Sequence, residues 1–319
     1  MKFLDNNVDV TKIKDHEIFK ITRNEEGIVD VWLPEGNAYV TKGKDGNIDY
    51  RISEEGIYGV IEYAMLSVEG ELMESITCSL YTEMFNFINK HSGYKLVRVW
   101  NYIPSILKDL KYTAPDIEIY RCFNKGRFNA FLKEYGMDMS NWIIPAASGV
   151  GSNTNCFKIE FFASTGETKY IENKNQIPAY KYSYKYGKLP PVFSRGAIWT
   201  HKDKAIFMAS GTASILNEDS VYIDDLQKQI IQSIKNLQML ISTSNLKEYG
   251  VEFGFNIEDA VLLRVYYRYE KDREFITSEL TRILPSDCKI CLVKSDICRN
   301  NLLVEIEGIF RAEQYSVSL

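Results

Sequence analysis

The order of secondary-structure signals in the second half of the sequence constrains the fold more than any other feature. Segments that alternate apolar and polar residues predict strands, and segments with apolar residues every three or four positions predict helices. In chain order they are a strand at 205–215 that ends in a turn, a helix at 225–241, a strand at 260–269, a helix at 272–284, and strands at 288–294 and 302–310. This β–α–β–α–β–β order predicts an α+β unit, in which helices pack on one face of a sheet.

The segment 225–241 carries the clearest helical pattern of the chain. Its apolar residues repeat at three- and four-residue spacings and share one face: Leu226, Ile230, Ile234, Leu237 and Ile241. Asp224 and Asp225 stand at its beginning, where the helix dipole favours negative charge. We therefore expect an amphipathic helix that lies on the sheet.

The first half has weaker signals of the same kind. Short predicted strands separated by glycines fill the first 80 residues, and helices at 82–91 and 120–136 flank a strand at 96–104. The Gly/Ser-rich segment 145–152 predicts a tight turn. The backbone N–H groups of such a turn can bind an anion, and the alternative is that the turn only connects two elements. We predict an N-terminal α+β domain, a degenerate relative of the second, over residues 1–174 and a C-terminal domain over 175–319.

Composition excludes several classes of function. The chain has 319 residues, 45% of them hydrophobic and 25% charged, which is typical of a soluble globular protein. A net charge of −5 without a basic, aromatic-rich stripe argues against nucleic acid as a partner. No segment approaches the roughly 20 apolar residues of a membrane span, and the N-terminus lacks an apolar leader, so we expect a cytoplasmic protein.

The six cysteines and three histidines do not form a metal-ligand pattern. Cys288 and Cys291 are spaced as CxxC, but no second pair or histidine cluster accompanies them. The alternation around them favours a strand with half-buried thiols instead. We therefore predict neither a metal nor a cofactor.

A segment rich in tyrosine and proline, residues 172–196, reads ENKNQIPAYKYSYKYGKLPPVFSRG. It ends near Arg195, and a guanidinium pairs with a carboxylate while phenols add hydrogen bonds and an aromatic wall. These residue types suit a pocket for a small, unsaturated dianion. A surface loop without a ligand is the alternative interpretation.

Several motifs resemble known families. The segments SGTASI, DLQKQIIQSIKNLQML and VEIEGIF make the C-terminal unit similar to the YjgF/RidA fold. The whole chain from 98 to 310 resembles the chorismatase family more specifically, through RVWNYIP, YRCFNKGR, PAASGVGS, ENKNQIPAYKYSYKYG, PPVFSRG and SGTASI in that order. This resemblance implies cleavage of the enolpyruvyl ether of chorismate without a cofactor.

Glu305 and Glu307 lie on one face of the last predicted strand, because side chains alternate along a strand. Two neighbouring acids raise the pKa of one of them, which suits a proton donor; exposure of both on an edge strand is the alternative. The family resemblance assigns the general acid to Glu305. It also implies that Arg127 and Arg195, with Arg121 as a further candidate, hold the substrate carboxylates.

The resemblance places five more residues around the substrate. Tyr180 and Tyr186 match the family pattern, whereas Tyr182 and Tyr184 are equally suited to the core. Gly211 and Cys298 imply a product of the 3-hydroxybenzoate type, and Thr212 adjoins Gly211. The substrate-binding set implied is Arg121, Arg127, Tyr180, Tyr186, Arg195, Gly211, Thr212 and Cys298. On one uninterrupted strand Cys298 and Glu305 would face opposite ways, so we expect a turn at 299–301.

The sequence departs from the related families at two places. Asn217 and Glu218 replace the Gly-His of the chorismatase SGTASIxGHES motif, which leaves 4-hydroxybenzoate open as a product. Ile290 stands where enamine hydrolases of the RidA type carry an arginine, which argues against that reaction.

These observations lead to one main reading and several alternatives. We expect a chorismatase that releases 3-hydroxybenzoate and pyruvate. Hydrolysis of chorismate to a dihydroxy-cyclohexadiene carboxylate, formation of 4-hydroxybenzoate, and non-catalytic binding of a small carboxylate are the alternatives. The two related halves are expected to pack like subunits of a trimer, in a monomer or a homo-oligomer.

Overall fold

The computed structural model describes most of the 319 residues of the chain. The described residues are 2–5, 14, 19–24, 27–34, 40–108, 118–201, 204–286 and 288–313. Within them, no helix combines the length and the apolar character needed to cross a bilayer.

The first three strands form a small antiparallel sheet of order β1-β3-β2. They are β1 (Lys2–Asp5), β2 (Lys20–Asn24) and β3 (Gly27–Leu33). Trp32 on β3 packs edge-on against Trp100, with ring centroids 5.5 Å apart. This contact joins the small sheet to the core of the molecule.

The first large sheet has six strands and two helices. Its elements are β4 (Thr41–Asp45), β5 (Ile48–Ser53), β6 (Gly56–Ala64), α1 (Gly70–Asn89), β7 (Lys95–Pro104), α2 (Ile119–Tyr135), β8 (Ala146–Ser152) and β9 (Cys156–Ser164). The strand order is β4-β5-β6-β9-β7-β8. Only the pair β7 and β8 is parallel, and α2 makes the crossover between them.

The second large sheet repeats this plan. Its strands are β10 (Thr168–Ile171), β11 (Gly196–His201), β12 (Lys204–Ala209), the short β13 (Thr212–Ala213), β16 (Ala260–Tyr267), β17 (Ile290–Lys294) and β18 (Val304–Glu313). Between β13 and β16 in the sequence, β14 (Ile215–Leu216) and β15 (Asp219–Ser220) form a separate two-stranded sheet. Its helices are α3 (Leu226–Ile241), α4 (Thr243–Leu246) and α5 (Arg273–Ile283). The main order is β10-β11-β12-β18-β16-β17, with β13 paired to β18.

The six strands of the first sheet and the six main strands of the second therefore share one topology. In each, the first three strands form a meander, the sixth strand lies between the third and fourth, and the fourth and fifth are parallel. The predicted α+β, YjgF/RidA-like class with two related halves is confirmed. The sheets change over between Ser164 and Thr168, and the division after residue 174 stays a prediction.

Each sheet buries both of its faces. One face of each carries helices, through separate apolar clusters that contain Phe123 and Phe161 in the first half and Ile234 and Val265 in the second. The opposite faces of the two sheets pack together through Trp100, Phe162, Trp199, Met208 and Ile309. Strands covered on both faces are rich in apolar residues, and β7 is accordingly buried along almost its whole length.

The predicted helices at 120–136, 225–241 and 272–284 are confirmed as α2, α3 and α5 to within one residue at each end. Asp225 caps α3, where its carboxylate accepts a hydrogen bond from the N–H of Lys228 at 3.0 Å. The helix predicted at 82–91 is longer, because α1 begins at Gly70.

The turn predicted at 145–152 is wrong, because this segment forms β8, parallel to β7. Its small side chains allow the other half to approach closely. The Oγ of Ser210 accepts a hydrogen bond from the N–H of Ala147 at 2.8 Å, and the N–H of Gly151 donates to the carbonyl of Asp296 at 2.8 Å. Glycine and serine thus serve contact between sheets here, not a reversal of the chain.

Gly126 of α2 lies where α2 approaches α1 closely. A Cβ at this position would lie 2.3 Å from the carbonyl oxygen of Glu74 and 2.8 Å from the Cβ of Thr77. We expect Gly126→Ala to lower the free energy of unfolding by about 1–3 kcal/mol, because backbone must move to admit the methyl group. Urea unfolding followed by tryptophan fluorescence measures this. Lys133→Ala, at an exposed position of the same helix, is the control and should change it by less than about 0.5 kcal/mol.

Candidate active site

A cavity of about 450 Å³ lies between the two halves. The first half contributes the segment after β7 and the beginning of α2. The second half contributes the tyrosine- and proline-rich segment 172–196 (the tyrosine loop), the turn after β12 and the loop before β18. The lining residues are Leu107, Glu118, Tyr120, Arg121, Tyr182, Lys185, Tyr186, Pro191, Phe193, Arg195, Gly211, Ala213, Ile215, Cys298, Arg299, Asn300, Asn301 and Glu305. A cavity of this size takes a small organic molecule.

Glu305 enters this cavity from a central strand. β18 lies between β12 and β16, and Glu305 is paired with Ala213 on one side and Tyr266 on the other. Its side chain is 3% exposed, and Glu307 on the same face is 5% exposed. The alternative of two acids on an exposed edge strand is therefore wrong.

Gly211 and Cys298 contact the Glu305 carboxyl from two sides. A Cβ on Gly211 would lie 1.8 Å from Oε1 of Glu305, so only glycine leaves room for the acid. The Sγ of Cys298 donates to Oε2 of Glu305 over 3.8 Å. The turn predicted at 299–301 is confirmed by a hydrogen bond from the N–H of Leu302 to the carbonyl of Arg299 at 3.2 Å, and it brings Cys298 to the acid.

Glu307 is held by groups from both halves. Arg98 of β7 donates to its Oε2 at 2.7 Å, and Arg264 of β16 donates to its Oε1. The hydroxyl of Ser148 on β8 donates to Oε2 at 2.6 Å, and the indole N–H of Trp100 donates to Oε1 at 3.1 Å. Ser148 also accepts the backbone N–H of Gly211 at 2.9 Å, which links this cluster to the wall of the cavity.

The two acids therefore have opposite protonation behaviour. Burial, and then the charge of Glu307, raise the pKa of Glu305 to about 8. Burial alone would also raise the pKa of Glu307, but Arg264 and Arg98 hold it below its ordinary value. At neutral pH one carboxyl keeps its proton while the other is ionised, an arrangement typical of acid catalysis.

Three arginines line the cavity. Arg195 is buried, donates to the Tyr182 hydroxyl at 2.6 Å and to the carbonyl of Ile177 at 3.1 Å. Arg299 donates to the carbonyl of Glu218 at 2.8 Å, and its guanidinium lies 3.8 Å from the ring centroid of Tyr186. Arg121 is more exposed and contacts the carbonyl of Lys185 at 3.4 Å.

Arg127 lies outside this lining. Its buried guanidinium stacks 4.9 Å from the centroid of Phe123 and 5.9 Å from that of Phe193, whose ring does line the cavity. It thus stands behind the wall, and the structure does not bring it to the cavity surface.

The tyrosine loop contributes Tyr182 and Tyr186. Tyr186 donates to Asp219 at 2.6 Å, and the rings of the two tyrosines lie 5.4 Å apart. Tyr180 packs at the edge of the first apolar cluster and does not line the cavity, whereas Tyr184 is exposed. Burial first, and then Glu172, raise the pKa of Tyr180 to about 12.

Asn217 and Glu218, which replace the Gly-His of the chorismatase motif, contact the tyrosine loop and do not line the cavity. Glu218 accepts the N–H and the hydroxyl of Ser183 at 2.8 and 2.7 Å, and Asn217 adopts a positive φ of 53° beside it. Thr212 is buried, and its hydroxyl donates to the carbonyl of Ser210 at 2.9 Å. Thr212, the first residue of β13, therefore bonds back to the turn that carries Gly211 and does not line the cavity.

The chain matches the family model described as "Chorismatase FkbO/Hyg5-like, N-terminal" over residues 30–163. It is 31% identical over 290 residues to a chorismatase of Streptomyces hygroscopicus, an alignment that covers 90% of this chain and 80% of that one. The chain belongs to the chorismatase family. A 3-hydroxybenzoate synthase of Streptomyces hygroscopicus is 29% identical to it, with 92% of this chain and 84% of the relative covered.

A solved chorismatase structure confirms that the similarity extends over the whole fold. Its TM-score is 0.83 at 27% sequence identity, and the alignment covers 97% of each chain. The chorismatase family thus accounts for both halves of this protein, including the first 90 residues, for which the motifs gave little.

Sequence reasoning missed several groups of the site. In the sequence, Arg299 belongs only to the predicted turn at 299–301, and Ser148 only to the Gly/Ser-rich segment 145–152. Arg98 and Arg264 carried a usable signal, because each interrupts an apolar strand and needs a buried carboxylate as a partner.

Glu305→Gln tests the protonation state of this acid. Because the folded-state pKa of Glu305 is raised above its unfolded value, its contribution to stability is complete at low pH and is lost as pH rises through about 8. Glutamine is neutral throughout, so the variant should gain stability relative to the parent between pH 5 and 8.5, on the order of 1–4 kcal/mol. Urea unfolding across this range measures the difference, and parallel curves for the two proteins would contradict the assignment.

Proposed function

We propose that this protein cleaves the enolpyruvyl ether of chorismate and releases 3-hydroxybenzoate and pyruvate. The observation that carries the proposal is a protonated, buried carboxyl, Glu305, in a cavity lined by arginines. An enol ether breaks after its terminal methylene carbon accepts a proton, and a positioned carboxylic acid supplies it.

The charges of the cavity suit a dianion. Its basic lining residues are Arg121, Lys185, Arg195 and Arg299, and its acidic ones are Glu118 and Glu305. Chorismate has two carboxylates, which arginines bind in a bidentate manner. Within the described residues the buried Nε of Arg195 has no hydrogen-bond partner, so this guanidinium retains a donor for a substrate oxygen. We assign one carboxylate to Arg195 and the other to the Arg299 and Arg121 side of the cavity.

The proposed steps balance without water. Glu305 protonates the methylene carbon, which becomes the methyl group of pyruvate. The ring 4-hydroxyl oxygen then bonds to the carbon that carries the ether, the carbon–oxygen ether bond breaks, and the ether oxygen leaves as the ketone oxygen of pyruvate. The hydroxyl proton restores Glu305. Opening of the resulting epoxide and loss of a ring proton give the aromatic acid, so the substrate atoms are divided between the two products.

The walls beside Glu305 support this product over the diene diol. Glycine at 211 and the small Cys298 leave space for the ring next to the acid. One relative bears the name 3-hydroxybenzoate synthase. Attack by water instead would give the dihydroxy-cyclohexadiene carboxylate.

Incubation with chorismate tests the function directly. We expect pyruvate and an acid with the mass and ultraviolet spectrum of 3-hydroxybenzoate in equal amounts.

Glu305→Gln should lower kcat by about 10²–10⁴ while chorismate still binds. For the parent, kcat/KM should fall as pH rises through about 8, because Glu305 then loses its proton. Release of 4-hydroxybenzoate or the diene diol would overturn the product assignment, and binding without pyruvate would overturn the enzymatic one.

A pair of arginine variants tests the carboxylate assignment. Arg195→Met removes a cation from the cavity wall and should lower kcat/KM for chorismate by at least 100-fold. Arg127→Met removes a buried cation that lies behind Phe193, so it should lower the urea midpoint more than it changes kcat/KM of the folded fraction. Equal losses of kcat/KM in the two variants would place Arg127 in the substrate clamp after all.

A further inference from the structure

A second cavity, of about 420 Å³, lies elsewhere between the two halves and shares no lining residue with the first. The first half contributes β7, the end of β8 and the beginning of β9, and the second half contributes the ends of β16 and β17. Its lining residues are Glu62, Tyr102, Val150, Gly151, Ser152, Asn153, Thr154, Cys156, Lys158, Tyr266, Tyr267, Glu270, Leu292, Val293, Lys294 and Ser295. The reaction proposed above uses none of them.

Strand register shows that this cavity is the internal counterpart of the first. On β16, Tyr266 lies between Val293 of β17 and Glu305 of β18. On β7, Tyr102 lies between Val150 of β8 and Lys158 of β9. Since the two sheets have the same strand order, Lys158 occupies in the first half the position that Glu305 occupies in the second.

The neighbouring position supports the same correspondence. Two residues along, Glu307 is opposite Arg264, and Glu160 is opposite Trp100. Like Glu307, Glu160 is a buried acid held by cations: Lys20 lies 3.3 Å away and Lys158 lies 2.9 Å away. The inner carboxylate is thus kept in both halves, while the outer position is an acid in one and an amine in the other.

The other half closes each cavity with an equivalent segment. The first cavity is bounded by residues that follow β7, among them Leu107 and Glu118, and the second by Tyr267 and Glu270 at the end of β16 and just after it. The second cavity is therefore built like the first but carries an amine instead of a carboxylic acid at the corresponding position.

Its polar groups indicate what it can bind. The hydroxyl of Tyr102 is buried and, among the described residues, has no hydrogen-bond partner. The ammonium of Lys158 lies 4.8 Å from the centroid of that ring, and although burial opposes it, Glu160 keeps the pKa of Lys158 raised, so the amine is charged. A phenol donor beside an ammonium suits one carboxylate.

The net charge of the second cavity and its aromatic and apolar walls restrict the class of ligand that it can bind. In the described lining, Lys158 and Lys294 are balanced by Glu62 and Glu270, so the cavity lacks the excess of cations that the first cavity offers a dianion. Three tyrosines and the apolar side chains of Val150, Leu292 and Val293 supply walls for a ring.

We propose that this second cavity binds a small aromatic monocarboxylate of the benzoate class and leaves it chemically unchanged. Lys158 and the Tyr102 hydroxyl bind the carboxylate, and the tyrosine and valine walls contact the ring. This site does not depend on the reaction proposed for the first cavity.

Fluorine NMR with 3-fluorobenzoate tests the proposal on the full chain. Arg195→Met, which weakens anion binding in the first cavity, should retain a saturable bound signal. Adding Lys158→Met or Tyr102→Phe to Arg195→Met should weaken that signal at least tenfold. Pyruvate, which has the carboxylate but no ring, should compete at least tenfold less well than benzoate. Binding that is unchanged by both second substitutions would overturn the site, and equal competition by pyruvate would overturn the ring assignment.

Cys156 provides a measurement that needs no substitution at the site. Its thiol lines the second cavity and is partly exposed. Benzoate should slow alkylation of Cys156 by iodoacetamide several-fold, as measured by mass spectrometry of its peptide, in the parent and in Arg195→Met alike. Cys78, which is partly exposed but does not line this cavity, is the control and should be unaffected. An unchanged rate at Cys156 at saturating benzoate would overturn the proposal.

Discussion

The ionised carboxylate of Glu307 is the interaction on which the rest of the site depends. It accepts hydrogen bonds from Arg98 and Ser148 of the first half and from Arg264 of the second, so it joins the two sheets where they meet. An isolated charge in such an interior would be very costly, but here each oxygen has donors. Burial of Glu305, and then this negative charge, raise the pKa of the neighbouring acid and keep its proton in place.

The cavity also depends on contact between the halves. Ser148 binds both Glu307 and the backbone of Gly211, and Gly211 in turn fixes the space available to Glu305. A side chain of β8 thereby sets the position of a turn more than 60 residues away in the sequence. Small residues suit this crossing because serine hydroxyls of one half bond directly to backbone N–H groups of the other.

Local patterns predicted the elements better than their assembly. Periodicity located α2, α3 and α5, and alternation placed Glu305 and Glu307 on one face, because those signals lie within a single element. The small residues of segment 145–152 predict a turn, whereas in the structure they allow β8 to pack against the other half. Arg127 and Tyr180 matched family motifs, yet whether a side chain reaches a cavity or stands behind its wall depends on tertiary packing, which a motif does not encode. Tertiary packing likewise brings Arg299 and Tyr182 to the cavity surface.

The duplicated topology separates two roles that one acid would otherwise combine. Glu160 neutralises cations of its own half and Glu307 neutralises arginines of both halves, whereas the position two residues before each of them faces a cavity. Since the carboxylate that maintains the interior is distinct from the one that meets a ligand, Lys158 can stand in place of a glutamate without disturbing the architecture. One copy of the repeat is thus free to change its chemistry while the other retains it.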